Sequence, residues 1–266
     1  MSRLTRSIAG KWHATRALAQ YARDFRNWRE IFKAYRSNRP LPIFKMRNGL
    51  EMHHASGDDP IHLFREIFLE ECYTPEKFYK IAPTDIVLDI GANIGVFALF
   101  LQSRARGIRV HCFEPASRTR ALLEENVASN QLSSYVTIHP SAVSDHAGKV
   151  GLKQSPISGH RSLFGSQFVE DEVEYVGCIT LDQAIAYSGA DSIDLLKIDT
   201  EGAEIEIIEG LDPKSWVKIK RVVVEYHDLF RPGCRDRTIK VLTTANFHIE
   251  VVGSTTEGLG MIYAQR

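Results

Sequence analysis

Apolar and polar positions follow two different patterns along this chain. Trp12, Leu18, Tyr21, Phe25, Trp28, Ile31, Phe32 and Tyr35 recur near helical spacing with arginines between them. This predicts one basic amphipathic helix or two short ones. Arg39-Pro40-Leu41-Pro42 stops the helix, because proline lacks the amide hydrogen that a helix needs. Residues 44–52 alternate around Asn48-Gly49 and predict a hairpin. Residues 61–71 predict a helix with Ile61, Phe64, Ile67 and Phe68 inward, followed by a connection through Thr74-Pro75.

From Asp85 the pattern becomes strand, turn, helix, repeated. Buried strands are expected at 86–90, 108–113, 135–139, 193–198 and 221–226. Helices are expected from about Ile94, from beyond Pro115 to about Asn130, in a short piece from Thr180, and at 202–210 and 236–245. Asp145 to Gly148 marks a turn between short strands, and 153–171 reads as a long loop. Strands at 247–252 and 260–264, joined by a turn at Gly258, suit an antiparallel edge. Alternating strands and helices imply an α/β fold with a doubly wound, mostly parallel sheet. It carries an N-terminal helical and hairpin extension. The expected divisions are a basic helical segment at 1–40, an extension at 41–80 packing on the core, and a main domain at 81–266.

Bulk composition narrows the class. With 44% hydrophobic and 25% charged residues, the chain is an ordinary globular protein. Net charge is zero but unevenly placed: up to Pro40 ten basic residues face Asp24 and Glu30, a balance of +8 against −8 elsewhere. An acidic main body argues against nucleic acid as a partner. The basic segment suits packing on the body or on a second subunit, with peripheral contact to an anionic membrane as the alternative. Cys72, Cys112, Cys178 and Cys234 are far apart, as expected of free thiols in a reducing compartment. No secretory signal pattern is evident and no apolar run is long enough to span a bilayer, so a cytoplasmic location is expected.

The chemistry concentrates at the first strand of the main domain. Val87-Leu88-Asp89-Ile90-Gly91-Ala92-Asn93-Ile94-Gly95 places a glycine-rich turn where that strand meets its helix, and Glu114 ends the next strand. Such a turn lets a ligand approach the backbone, and an acid at Glu114 suits ribose hydroxyls. A dinucleotide fingerprint would want glycine at Asn93, and Asp89 would repel a pyrophosphate. S-adenosylmethionine instead presents an ammonium and a sulfonium that Asp89 can stabilise, and a carboxylate for the turn's N–H groups.

Asp89-Ile90-Gly91-Ala92-Asn93-Ile94-Gly95, Phe113-Glu114-Pro115, Thr180-Leu181-Asp182 and residues 196–204 (LKIDTEGAE), in this order, resemble the FkbM-type methyltransferase family. The likeness runs from about Asp85 to His227. It implies a class I, Rossmann-like methyltransferase sheet, S-adenosylmethionine as donor, and O-methylation of sugars or other secondary metabolites. It also implies that Asp89, Gly91, Asn93, Gly95 and Glu114 bind the cofactor, with Ser141 and Ala142 near the adenine.

Methyl transfer to an alcohol needs positioning and benefits from a base. Asp199 and Glu201 follow a buried strand, and Glu225 and His227 end its expected neighbour, so the four can converge. Asp199 is expected to place the acceptor, with Glu201 second and His227 as base on its ordinary pKa. Glu225 reads first as a buried, paired structural acid and second as a catalytic one. Lys197 can pair with one of these acids. Their oxygen-rich character leaves a magnesium ion open without requiring it. His160-Arg161-Ser162 in the long loop is a lesser candidate for substrate contact. Asp199-Thr200-Glu201-Gly202 stands where a nucleic-acid N-methyltransferase would carry an Asp/Asn-Pro-Pro-aromatic tetrapeptide. The expected partner is therefore a small-molecule or glycan acceptor. The alternatives are an NAD-dependent oxidoreductase and a non-catalytic S-adenosylmethionine-binding module; oligomeric state is undetermined.

Overall fold

The computed structural model describes residues 20–37, 39–55, 60–153, 173–254 and 256–266. They fall into two compact units divided between Ser56 and Gly57. In the first, residues 20–24 are helical and α1 (Trp28–Arg36) follows after a turn. Phe25, Ile31 and Ala34 are buried, whereas Tyr35 is 68% exposed, so the aromatic spacing overstates the packed face. β1 (Phe44–Lys45) and β2 (Glu51–Met52) form the hairpin, and Gly49 takes the left-handed φ of +99° that its turn needs. Phe25 packs edge-on to Phe44 with ring centroids 5.0 Å apart.

The second unit opens with α2 (Pro60–Phe64), which widens into a π-helical turn at Arg65–Leu69. The helix expected to reach residue 71 therefore changes pitch. The wider turn stacks Phe64 on Phe68, and Phe68 meets Phe100 edge-on at 5.4 Å.

β3 (Ile86–Ile90) lies inside a seven-stranded sheet with β4 (Arg109–Phe113), β5 (Val136–His139), β9 (Leu195–Ile198), β10 (Arg221–His227), β11 (His248–Gly253) and β12 (Leu259–Gln265). The order is β11-β12-β10-β9-β3-β4-β5. The five strands from β10 to β5 run parallel, and β12 and β11 add the expected antiparallel edge. Every residue of β3 and β9 is buried, as a parallel sheet covered on both faces requires. A second sheet of three strands orders β6 (Ser141–Ser144), β8 (Val173–Thr180) and β7 (Gly148–Lys153). The long loop and His160-Arg161-Ser162 lie outside the described residues.

Helices α3 (Val96–Arg104), α4 (Ser117–Ser129), α5 (Leu181–Tyr187), α6 (Glu204–Glu209) and α7 (Cys234–Thr244) connect the strands. α3 is buried from Val96 through Gln102, more than a sheet-covering helix needs. Its outward rings are covered in turn: Phe68 meets Phe100, and Tyr73 meets Phe97 at 5.2 Å. α5 starts with a full capping box between Thr180 and Gln183, while Asp182 accepts from the Asp212 N–H and the Ser215 hydroxyl. The Thr180-Leu181-Asp182 signature is thus structural. No helix among the described residues is long and apolar enough to cross a membrane.

Candidate functional site

The turn between β3 and α3 is wound by three left-handed residues, Gly91 (φ +77°), Asn93 (φ +51°) and Gly95 (φ +83°). Gly91 is required by close approach as well, since a Cβ there would overlap the Asp199 carbonyl oxygen. At Gly95 a Cβ would strike the Leu123 side chain, so this glycine lets α3 pack on α4. The Asn93 N–H donates to Glu114 Oε2 at 3.0 Å, and the Ala116 N–H donates to Glu114 Oε1 at 2.9 Å. The acid is thereby fixed at the end of β4 by two backbone donors.

These groups form one wall of an open pocket. Gly91, Asn93, Glu114, Ser141 and Ala142 line it, with Ile90, Phe113, Val143 and Leu152 supplying apolar surface. Asp199 and Glu201 line it as well. Asp89 and Gly95 do not. Asp89 is fully buried behind the turn, where Lys197 Nζ lies 2.9 Å from its Oδ1. Burial disfavours the Lys197 ammonium, but Asp89 and Asp199 more than offset this and hold its pKa above the ordinary value. Lys197 also donates to the Gly91 carbonyl at 2.7 Å, so one cation ties β9 to the glycine turn.

The acidic end follows from strand register. Ile198 pairs with Val224, which sets Asp199 beside Glu225 at the carboxyl ends of β9 and β10. Two residues on, His227 Nε2 lies 3.5 Å from Glu201 Oε2, and its Nδ1 lies 3.1 Å from Glu204 Oε1. Glu204 is fully buried and also accepts from the Thr200 N–H, the Thr200 hydroxyl, the Gly202 N–H and the Cys234 thiol. Glu201 itself has a left-handed φ of +56°. Tyr73 completes the cluster: its hydroxyl donates to Asp199 Oδ2 at 2.9 Å and lies 3.4 Å from Glu225 Oε2.

Burial and the neighbouring Asp199 charge raise the Glu201 and Glu225 carboxyls to about 8. Burial opposes charge on His227, but the hydrogen bond to Glu204 and the surrounding carboxylates override it and raise the imidazole to about 10. The shift disfavours the base role expected of His227 on its ordinary value. The shift favours the imidazolium, and Glu201 and Glu225 are the carboxyls raised toward the working range. Asp199, Glu201 and His227 each offer one ligand atom, all within 4.8 Å of one another, a spacing that can hold a divalent cation.

Tyr73 and Glu204 were not singled out in the sequence as site residues. Tyr73 is 126 positions from Asp199 and carries no local signal. Glu204 stands inside the LKIDTEGAE tract, and its spacing of four from Thr200 was the available clue.

A family model for the methyltransferase FkbM domain matches residues 89–248. The chain is 32% identical to the 31-O-demethyl-FK506 methyltransferase FkbM of Streptomyces tacrolimicus, over 71% of this chain and 83% of that protein. It is 27% identical to the hexuronic acid methyltransferase AglP of Haloferax volcanii, over 63% of this chain and 65% of that protein. Among solved structures, methyltransferase FkbM from Methylobacillus flagellatus KT superposes with a TM-score of 0.53 at 17% identity, over 74% of this chain and 49% of that one.

Proposed function

The chain belongs to the FkbM methyltransferase family, and we propose that it transfers a methyl group from S-adenosylmethionine to a hydroxyl oxygen of a sugar, glycan or related small metabolite. The observation that carries this reading is one pocket with Glu114 fixed on one wall and Asp199 and Glu201 on another. The relatives' names support the acceptor class, since one acts at an oxygen of FK506 and another on hexuronic acid. The oxidoreductase alternative does not fit a member of this family.

The residues suit the donor. Glu114, held by two N–H groups, is a rigid acceptor for ribose hydroxyls, and Gly91 and Asn93 admit a ligand close to the backbone. Ser141 and Ala142, with Val143 and Leu152, give an apolar slot for a base. When bound, S-adenosylmethionine supplies a methyl group already activated by its sulfonium, so the protein's task is positioning and proton removal.

Asp199 accepts a hydrogen bond from a neighbouring hydroxyl of the acceptor and so orients the reacting one. Glu201 takes the proton onto its carboxylate. The His227 imidazolium, clamped by Glu204, balances the charge that Glu201 carries before that transfer. A second reading rests on the Asp199, Glu201 and His227 spacing. Magnesium held there would lower the hydroxyl's pKa. The metal-free route comes first because the three side chains can hold a cation without requiring one.

The test is incubation with methyl-labelled S-adenosylmethionine and a panel of glycosides, with and without chelator. Label recovered as a methyl ether supports the reading. Label recovered only on nitrogen would overturn O-transfer, and loss of label with chelator would select the magnesium route.

A further inference from the structure

Tyr73 lies outside the family-model match, which begins at residue 89, yet its hydroxyl is the group that joins Asp199 to Glu225. The chain delivers it there by an unusual path. The π-helical turn at Arg65–Leu69 is followed by Glu71 in the left-handed region (φ +50°), and two residues later Tyr73 brings its hydroxyl to the carboxyl ends of β9 and β10. Such π-helical turns are enriched at functional sites. The segment is pinned from several directions: Tyr263 donates to the Cys72 carbonyl at 2.6 Å, Arg221 to the Phe78 carbonyl at 3.2 Å, and the Tyr73 ring packs on Phe97. Lys197 Nζ stands 5.1 Å from the centre of the Tyr73 ring.

We propose that Tyr73 is a positioning residue that sets the rotamer in which Asp199 orients the bound acceptor for methyl transfer. This rests on the methyl-transfer reading above. Tyr73 is 7% exposed and is not a wall of the pocket, so it acts through the acid and not on the substrate. Asp199 and Glu225 sit side by side on neighbouring strands, where two acids face one donor. One O–H between them takes up Asp199 Oδ2 and fixes how that carboxylate stands in the pocket wall. Residues 60–80 thereby become part of the catalytic unit.

Tyr73→Phe tests this because it keeps the ring against Phe97 and Lys197 and removes only the hydroxyl. Affinity for S-adenosylhomocysteine should stay within about twofold, and thermal melting should be close to wild type. Turnover on methyl glucuronoside should fall about ten- to hundredfold, as for loss of one hydrogen bond to a charged group. KM for that acceptor should change much less. Turnover within about twofold of wild type would overturn the proposal.

A crystal structure of Tyr73→Phe needs no acceptor. Rotation of the Asp199 carboxylate away from Glu225 is the expected result, and both acids unmoved would refute the positioning role. Failure of wild-type protein to bind S-adenosylhomocysteine would count against the methyltransferase reading alone, leaving the crystal structure to decide on Tyr73.

Discussion

His227 Nδ1 lies 3.1 Å from Glu204 Oε1, and neither side chain has appreciable contact with solvent. A buried pair of this kind holds its members in their charged forms. Here it also links α6 to the end of β10 and keeps Nε2 of the ring turned toward Glu201.

Removing one charge from the pair should be costly. Glu204→Gln is expected to lower stability by roughly 3–5 kcal/mol at neutral pH, because an uncompensated buried cation remains. The sign of the pH dependence follows from the two shifts. Raised His227 stabilises fully below its ordinary value of 6.5 and loses that contribution as pH climbs through about 10. Lowered Glu204 contributes above its ordinary 4.5 and loses it as pH falls through its folded value. Denaturant titrations of wild type and variant should therefore differ most between pH 4.5 and 6.5 and converge toward pH 10. A constant difference across that range would show that the pair is not charged.

Glu201 gives the opposite linkage. Its carboxyl is raised to about 8, so the folded state prefers the protonated acid, and stability declines as pH rises from 4.5 toward 8. Glu201→Gln should then stabilise the protein by at least ~1 kcal/mol at pH 8, where a shift of one unit is already worth ~1.4 kcal/mol. Turnover should fall at least about a hundredfold if this group is the base. In wild type, kcat/KM should rise with pH and level off above about 8. A flat profile from pH 6 to 9 would remove Glu201 from proton transfer.

Gly91 couples the turn between β3 and α3 to the acid end. Gly91→Ala forces a Cβ onto the Asp199 carbonyl and a left-handed φ onto alanine, the latter alone costing roughly 1–3 kcal/mol. Reduced stability together with lost turnover is the expected outcome, measured by melting and by methyl transfer. Gly189→Ala is the control: its φ of +62° is left-handed like that of Gly91, and its added Cβ meets no atom within 4 Å. Equal effects at both positions would show that the contact with Asp199 is unimportant.

What could be read from the sequence divides along physical lines. Strands 86–90 and 193–198 announce themselves as continuous apolar runs because both faces of the sheet are covered, and the glycine turn marks where the chain must go left-handed. The convergence of Asp199 with Glu225 follows once neighbouring strand ends are paired. Charge states do not follow from residue type. Asp89 reads as a contact for a cationic ligand, yet its buried partner is Lys197, and His227 reads as a neutral base until Glu204 is seen behind it. Tyr73 is the extreme case: its role depends on a π-helical turn and on contacts more than a hundred positions away.

The donor site is the part of the mechanism on which everything else depends. Calorimetric titration of the purified protein with S-adenosylhomocysteine, with NAD in parallel and with Glu114→Ala as the site control, examines it directly. Saturable binding of S-adenosylhomocysteine and not NAD is expected, weakened about ten- to hundredfold in Glu114→Ala through loss of charged hydrogen bonds to the ribose. Absence of binding to well-folded wild-type protein would contradict a methyl-donor site in the pocket beside Gly91 and Glu114.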